Sequence, residues 1–509
     1  MTRSSARSRN FLPAVAVVLS AVAVWFRASR LFRAPLWLDE AYSAHAVEKG
    51  FAFTWTVVPT YDVHPPLYYT ILGLWSLLAG DSLAGLRMFG VVCGLLTIVI
   101  VAFAAFELAR SLDLDGPMLV ACSALLAAFS PLMIAMSREV RPYAAMILAF
   151  TLALAGMLRA VRDCRDTGRV EQGAFLLYLV GLTLTFWLHN VGPLFGASLT
   201  IAFVVLVAGC VKEKRELGFL AGGHVLVALL YLPGFLMLLD QATAWTESTW
   251  LTFRLDGLHW KLAALWGANG IVAIVSAALL IALALYRSYE RRNFRTAMAL
   301  VICAVLPPAL AVALSMTVSP VFLIRTLSPV AIPALLLQAA GGASLFGKWR
   351  LASLAFLLVV LSQMITVDVI ARRAGPREDW YGAVRWLEQR MRPGDVIYAY
   401  PNEGALPLDR AVRDVGLTLP TRPIPTAVPS TGIGWHPNGG RGAVSLSRET
   451  LRAIAEAPAT ERVPTVWLLR LGPWSYDKGD VFVEELAKRR DVVDRWQSGA
   501  IDIIGLRKR

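Results

Sequence analysis

Acidic side chains and histidines fall in short polar segments of this 509-residue sequence, each beside a long apolar stretch. Asp39 and Glu40 are neighbours in the segment W-L-D-E-A-Y, and Asp62 stands two residues before His64 in D-V-H-P-P-L. Such a carboxylate can act as a base that takes a proton from a hydroxyl, or it can bind a metal ion. Because ionisable residues are costly in hydrocarbon, their recurrence beside apolar stretches indicates a functional site.

Arginines follow the same pattern later in the chain. Arg138 and Arg141 lie three residues apart in S-R-E-V-R-P-Y, and Arg325 stands in R-T-L-S-P. At the start of a helix, residues three apart share one face, so Arg138 and Arg141 could grip a phosphate together. His189 and Asn190 add a further polar segment between two apolar blocks.

A base, phosphate-binding arginines and a lipid boundary together favour group transfer from a lipid-phosphate donor. A sugar that leaves from a phosphate needs its departing negative charge neutralised, which arginine can do. The leaving group is already acidic, so the reaction needs only a base for the incoming hydroxyl. Structural roles are open to the same residues, because Asp39 and Glu40 could cap a helix and the arginines could bind lipid headgroups.

The composition is that of a membrane protein. Hydrophobic residues make up 57% of the chain and charged residues only 17%, against about 45–50% and 25% in soluble domains. The mean hydropathy of +0.58 excludes soluble, disordered and fibrous classes. Cytoplasmic loops of membrane proteins are rich in Lys and Arg, which explains the net charge of +13. Nucleic acid is therefore not an expected partner. The five cysteines show no CxxC spacing and support neither a disulfide framework nor a zinc site.

Eleven apolar blocks are candidates to cross a bilayer, which needs about 20 residues. They are residues 11–32, 86–109, 117–136, 140–158, 174–188, 191–210, 218–239, 263–286, 296–316, 323–345 and 351–371. The block 64–80 begins with two prolines and is too short after them, so we expect a helix at the membrane surface. With this block outside the membrane, the inner loops and N-terminal arm hold 17 Lys and Arg against 10 in the outer segments. That bias is what the positive-inside rule requires.

An odd number of spans places the C-terminal tail on the outer face of the membrane. We therefore expect an all-α polytopic membrane domain at residues 1–371 and a small extracytoplasmic α/β domain at residues 372–509. In the tail, the pattern predicts a helix at 379–389, strands at 395–400 and 464–470, a helix at 484–490, a hairpin at 492–507 and a Pro- and Gly-rich loop at 401–442. The expected location is the inner or plasma membrane.

At these motifs the chain resembles the GT-C glycosyltransferases of the protein O-mannosyltransferase type, a grouping that includes the bacterial lipid A aminoarabinose transferase. Residues 37–42 look like the acidic motif of the family's first outer loop, and residues 62–67 match its D-x-H-P-P-L element. Residues 137–143 resemble its Q-E-A-R-x-Y stretch, and residues 325–329 are similar to a late R-Y-L-x-P element. The likeness covers roughly residues 11–345.

The resemblance implies a GT-C fold and an inverting glycosyltransferase that uses a polyprenyl-phosphate sugar on the outer face of the membrane. The implied acceptor is a glycan, a glycolipid or a protein. The implied roles are catalytic for Asp39 (the base), Glu40 and Asp62, donor-phosphate binding for Arg138, Arg141 and Arg325, and substrate binding for Tyr42, His64, Glu139, Tyr143 and His189. Some members of this fold use a divalent metal and others do not, so a metal at Asp62 and His64 is left open.

Two functions of other kinds stay open. A transporter or flippase for a lipid-linked sugar would place ionisable residues near the bilayer midplane, whereas here they lie at the predicted outer ends of helices. A polymerase or ligase of surface polysaccharide would use diphosphate-linked donors with overlapping chemistry, and the motif set disfavours it.

Overall fold

Long apolar stretches form helices because a helix pairs its backbone N–H and C=O groups internally, as hydrocarbon requires. The computed structural model describes residues 20–29, 31–62, 64–248, 251–345, 349–429 and 446–509. Residues 20–28 are helical. The helices that follow are α1 (Leu38–Thr56), α2 (Pro66–Ala79), α3 (Leu83–Leu112), α4 (Gly116–Phe129), α5 (Pro131–Ser137), α6 (Tyr143–Val161), α7 (Cys164–Thr167), α8 (Gln172–Leu188), α9 (Gly192–Val207), α10 (Lys214–Ser248), α11 (Leu258–Leu265), α12 (Ile271–Glu290), α13 (Phe294–Thr317), α14 (Ala331–Leu345), α15 (Arg350–Arg373), α16 (Trp380–Glu388), α17 (Ala405–Asp414), α18 (Arg448–Glu456), α19 (Pro458–Glu461), α20 (Pro473–Tyr476) and α21 (Val481–Ala487).

Six helices in the described ranges are long and apolar enough to cross a membrane, namely α3, α6, α10, α12, α13 and α15. The helices α4 and α5 meet at 57° and make a seventh span if the bent pair crosses as one. The chain is therefore an integral membrane protein, as its composition predicts. The count of eleven spans stays a prediction, because residues 11–19 lie outside the described ranges and α8 and α9 have only 17 and 16 residues.

Two predicted spans begin later in the structure than the sequence suggested. The block 263–286 is broken between α11 and α12, because Gly267 and Gly270 have φ angles of 78° and 87°, outside the helical region. The block 323–345 starts with turns, and a 3-10 turn at Ser328–Val330 precedes α14. Arg325 therefore lies in the turn before this helix.

The helix predicted after the paired prolines is present as α2. Pro66 occupies its first position, where the missing N–H of proline costs nothing, and Gly80 ends it with a φ of 75°. In this 14-residue helix, Leu77 and Leu78 are almost completely exposed, with 81% and 86% of their surface accessible. Exposed leucines on a short helix are typical of a helix that lies in the membrane interface. Its placement there stays a prediction.

Residue contacts divide the chain into two compact units, which we describe separately. The first unit comprises residues up to 29, 87–236 and 252–374. The second comprises residues 30–86, 237–251 and 375–509. Because the second unit combines the tail with earlier residues, the two-domain division at residue 371 stays a prediction.

Glycines allow close helix packing in the first unit. A Cβ at Gly156 of α6 would lie 2.6 Å from the backbone nitrogen of Tyr178 in α8. A Cβ at Gly341 of α14 would collide with the backbone carbonyl of Leu280 in α12. Since lipid gives no hydrophobic drive between helices, such close backbone contact is a main source of their association. The segments with predicted site residues in this unit connect these packed helices.

The second unit contains a five-stranded sheet. Its strands are β1 (Val396–Tyr400), β2 (Thr421–Pro423), β3 (Thr465–Leu471), β4 (Arg490–Ser498) and β5 (Ile501–Lys508), in the order β2-β1-β3-β5-β4. Strand β1 runs parallel to β2 and β3, whereas β5 runs antiparallel to β3 and β4. Alternate side chains point to opposite faces, so one face packs on α16 and α17 and the other on α18 and α21. The predicted α/β character of the tail is confirmed.

The prediction that residues 401–442 form a loop is wrong in part. This stretch contains α17 and β2, and residues 430–445 lie outside the described ranges. Helix α17 tolerates Pro407 because this proline is in its first turn, where no intrahelical N–H is required. The helix predicted at 484–490 is present as α21 and starts three residues earlier.

Candidate functional site

Asp39 and Glu40 lie in the first turn of α1 in the second unit. Negative side chains stabilise a helix start, because its free N–H groups carry partial positive charge. The Glu40 carboxylate accepts a hydrogen bond from the Trp37 backbone N–H at 3.3 Å, which is a capping contact. Asp39 is 8% exposed and Glu40 1% exposed. Glu40 thus has a capping role, and Asp39 is the stronger candidate for the base.

Glu378 is a further acidic residue of the candidate site, and no sequence motif marks it. Its Oε2 accepts hydrogen bonds from the Leu38 backbone N–H at 3.0 Å and from the Trp380 indole N–H at 2.7 Å. Burial raises the pKa of Glu378 above its ordinary value, and the negative charge of Asp39 adds to this effect. Glu378 thus ties the first residue of α1 to the segment before α16 and lies close enough to Asp39 to influence it.

Asp62 and His64 form a buried pair before α2. His64 Nδ1 lies 2.7 Å from Asp62 Oδ1, and the Tyr69 hydroxyl of α2 donates to Asp62 Oδ2 at 2.8 Å. The Gln241 side-chain amide of α10 donates to the backbone carbonyl of Asp62 at 3.0 Å. These contacts hold the carboxylate and the imidazole in one orientation. A group that positions a substrate hydroxyl needs such a fixed orientation.

Asp62 and His64 do not belong to a three-ligand metal centre within the described residues, and a metal at this pair stays a prediction. Both carboxylate oxygens of Asp62 are hydrogen-bonded, one to His64 and one to Tyr69. In the described part of the chain, no group of three or more His, Cys, Asp or Glu side chains is placed to hold a metal ion. Zinc sites use at least three such ligands, whereas Mg²⁺ is commonly bound by one or two carboxylates together with substrate phosphates. We therefore derive no step through a metal.

Tyrosines connect the two acidic segments of the second unit. The ring of Tyr42 in α1 lies 5.9 Å from that of Tyr61, and Tyr61 lies 6.3 Å from Phe53 at the far end of α1. Tyr42 and Tyr61 are buried, and aromatic contacts of this kind contribute about 0.5–1.5 kcal/mol beyond the area they bury. The segments that carry Asp39 and Asp62 are therefore packed together.

In the first unit, the prediction that Arg138 and Arg141 share a helix face is wrong. Helix α5 ends before Arg138 and α6 begins after Pro142, so both arginines lie in the connecting turn, together with Glu139. The cause is Pro142, because a residue that precedes proline is disfavoured in helical conformation. Arg141 is 2% exposed, whereas Arg138 is partly exposed and donates from Nη2 to the Ser29 carbonyl at 3.0 Å.

Tyr143, His189 and Arg325 come together from three parts of the first unit. The rings of Tyr143 and His189 lie 5.8 Å apart, and the Arg325 guanidinium lies 5.9 Å from the centre of the Tyr143 ring. His189 Nδ1 accepts from the Val191 backbone N–H at 3.2 Å, which sets the direction of the imidazole. A guanidinium held over an aromatic ring is attracted by its negative face. The three residues form one cluster at the ends of α6 and α8 and before α14.

Two further arginines in the first unit have structural roles. Arg27 donates to the carbonyls of Ala127 and Ala128 at 3.1 and 2.8 Å, so it satisfies the C-terminal end of α4 where α5 turns away. Arg372 donates to the Ser29 hydroxyl at 2.6 Å, beside the carbonyl that Arg138 uses. Arg138 thus contributes to a structural contact, which leaves Arg141 and Arg325 as the better candidates for phosphate binding.

Comparisons with known proteins agree with this architecture. A model of the dolichyl-phosphate-mannose-protein mannosyltransferase family matches residues 63–233. No curated protein matches the sequence significantly.

Solved structures of low sequence identity match the chain over nearly its full length. Apo ArnT from Cupriavidus metallidurans is 13% identical, with 99% of this chain and 98% of that chain covered and a TM-score of 0.59. ArnT bound to undecaprenyl phosphate is 16% identical, with 97% and 98% covered and a TM-score of 0.58. An oligosaccharyltransferase from Archaeoglobus fulgidus is 14% identical, with 97% and 74% covered and a TM-score of 0.56. The resemblance to the GT-C glycosyltransferases is thus confirmed, and the chain is an integral membrane protein with the GT-C fold.

Proposed function

We propose that the protein is an inverting glycosyltransferase that moves a sugar from a polyprenyl-phosphate donor to an envelope glycan, lipid or protein at the outer face of the membrane. The observation that carries this proposal is the match of 97% of the chain to a structure that holds undecaprenyl phosphate. A fold can host several functions, so the side chains must supply the rest of the argument. The buried Asp39, the Asp62–His64 pair and the buried Arg141 supply it.

In the proposed reaction, Asp39 is the base. Its carboxylate takes the proton of the acceptor hydroxyl while the hydroxyl oxygen attacks the anomeric carbon of the donor sugar. A new carbon–oxygen bond forms, the bond from sugar to phosphate breaks, and the polyprenyl phosphate leaves with the electron pair. Attack opposite the leaving group inverts the anomeric centre. Glu40, Asp62, His64 and Tyr42 contact the acceptor or the sugar in this scheme.

The arginines act on the leaving group. A departing phosphate gains negative charge as the bond breaks, and a guanidinium that already points at it stabilises that charge more than it stabilises the ground state. Arg141 and Arg325 have this role, with Arg138 in a lesser one. Tyr143, His189 and Glu139 bind substrate beside them.

The test is to incubate the purified protein in proteoliposomes with undecaprenyl-phosphate sugars and an envelope extract. We expect release of free undecaprenyl phosphate together with a new glycosidic product, measured by mass spectrometry. Movement of the intact lipid-linked sugar between leaflets, with its sugar–phosphate bond unbroken, would instead identify a flippase. Turnover of only diphosphate-linked donors would identify a polymerase or ligase.

The outer location of the tail is also a proposal, and it rests on the charge bias of the loops. Lys478 of the tail and Lys212 between α9 and α10 are both exposed lysines. In a cysteine-free background, Lys478→Cys should react with a membrane-impermeant maleimide in intact cells. Lys212→Cys should react only after the cells are permeabilised, and the reverse pattern would contradict the topology.

A further inference from the structure

The second unit contains a cavity that none of the proposed catalytic residues lines. Its volume is about 490 Å³, within the range of small-molecule sites. One wall is a single face of α1, because Ala41, Ala44, His45 and Glu48 follow the spacing of helical neighbours. The other wall is α17 together with residues 417–419, Pro423, Ala427 and Val428.

The two arginines that line the cavity are already paired with groups of the protein. Arg413 donates to Glu48 at 2.8 Å. The buried Arg410 lies 3.4 Å from Glu48 and 3.0 Å from Asp414, and it donates to the Asp81 carbonyl at 2.6 Å. Both guanidiniums are therefore engaged within the protein and are poorly placed to bind an anion.

The other polar groups suit a hydroxyl-rich ligand without net charge. Lys49 and Asp409 are exposed residues of opposite charge in the lining, and Asn402 also lines the cavity, with its amide nitrogen donating to the Thr426 carbonyl at 2.8 Å. Burial, helped by the charge of Lys49, keeps the pKa of His45 below its usual value, so the imidazole is neutral at pH 7. Its Nε2 has no hydrogen-bond partner within the described residues, and buried polar atoms are normally paired.

The walls between these groups are apolar and small. Ala41, Ala44 and Ala405 line the cavity with methyl groups only. A saccharide has both kinds of surface, because its hydroxyls ring a face of C–H groups. Polar and apolar side chains both line the cavity, and a mixed lining of this kind can orient a small molecule through its hydrogen-bonding groups.

We propose that this cavity is a binding subsite for an uncharged saccharide of the acceptor. This identification of the acceptor as a glycan rests on the proposed function. His45 lies six residues beyond Asp39 on α1, roughly 9 Å along the helix axis. A glycan held in the cavity therefore lies beside the same helix that carries the proposed base. Arg410 and Arg413 are engaged with carboxylates, so these two cations do not favour the donor phosphate in the cavity.

The experiment measures binding without any donor, so its outcome does not depend on transfer. The full-length protein in detergent is mixed with methyl α-mannopyranoside, methyl β-galactopyranoside or methyl α-arabinofuranoside, and saturation-transfer NMR records contact. Two variants fill the cavity, Ala44→Trp from its wall and Thr418→Trp from an exposed position at its edge. The matched control is Ala52→Trp, an exposed alanine of α1 that does not line the cavity.

We expect at least one glycoside to bind the wild-type protein and Ala52→Trp equally, and to bind both cavity-filling variants about tenfold more weakly, which corresponds to roughly 1.4 kcal/mol. If Ala44→Trp does not fold, Thr418→Trp decides the result, because its side chain is exposed. The proposal is overturned if none of the three glycosides binds, if binding survives Thr418→Trp, or if inorganic phosphate displaces the glycoside.

Discussion

The Asp39→Asn variant should transfer sugar about a thousandfold more slowly than the wild-type protein, within the range that general-base catalysis contributes. Asparagine has nearly the same shape but cannot accept the proton of the acceptor hydroxyl. Loss of the negative charge at the helix start typically costs about 0.3–1 kcal/mol, so α1 should still form. The measurement is the initial rate of glycosidic product formation at saturating donor and acceptor, together with the melting temperature of the purified variant.

Two controls separate a base from a residue that merely supports α1. Glu40→Gln keeps an oxygen that can accept from the Trp37 N–H, so it should fold and lose less activity. Asp81→Asn changes an exposed aspartate in the same unit and should keep wild-type rates. Undiminished transfer by Asp39→Asn, or equal losses in Asp39→Asn and Asp81→Asn, would remove the assignment of the base.

Loss of Arg141 should weaken donor binding about a hundredfold, because removing one partner of a buried charge pair commonly costs about 2–5 kcal/mol. Arg141 is 2% exposed, so water cannot replace the lost guanidinium around a bound phosphate. The measurement is the affinity of Arg141→Ala for undecaprenyl phosphate by native mass spectrometry or calorimetry. The rate of transfer should fall further than affinity does, since the charge on the phosphate grows as its bond to the sugar breaks.

The chain offers matched controls for this test as well. Arg141→Lys keeps the positive charge but loses the planar fork of donors, so its affinity should lie between those of the wild type and Arg141→Ala. Arg169→Ala removes an exposed arginine in the same unit, paired with Glu213 at 3.3 Å, and should bind donor normally. Wild-type affinity in Arg141→Ala would assign phosphate binding elsewhere, with Arg325 as the next candidate.

Local patterns predicted most of the secondary structure, because their information lies within a few residues. The hairpin β4–β5 and the strand β1 follow from alternation and turn residues, and α2 follows from the paired prolines and the apolar run after them. Errors arose where one local signal competes with another. Pro142 disfavours helical conformation at Arg141, so α6 begins only at Tyr143, and Gly267 and Gly270 interrupt an apolar run long enough to predict one span.

By itself, the sequence determined that the chain lies in a membrane, that its tail is an α/β sheet domain, and which acids and arginines are chemical candidates. These properties depend on hydropathy, spacing and residue type, which are read along the chain. Only the tertiary structure decided that Glu378 holds the first residue of α1, since these groups are 340 positions apart. It also decided that Arg138 binds the carbonyl of Ser29 and that α17 encloses a cavity against α1. Such contacts depend on how helices and strands pack, and their energy comes from burial and pairing between distant residues that leave no periodic trace in the sequence.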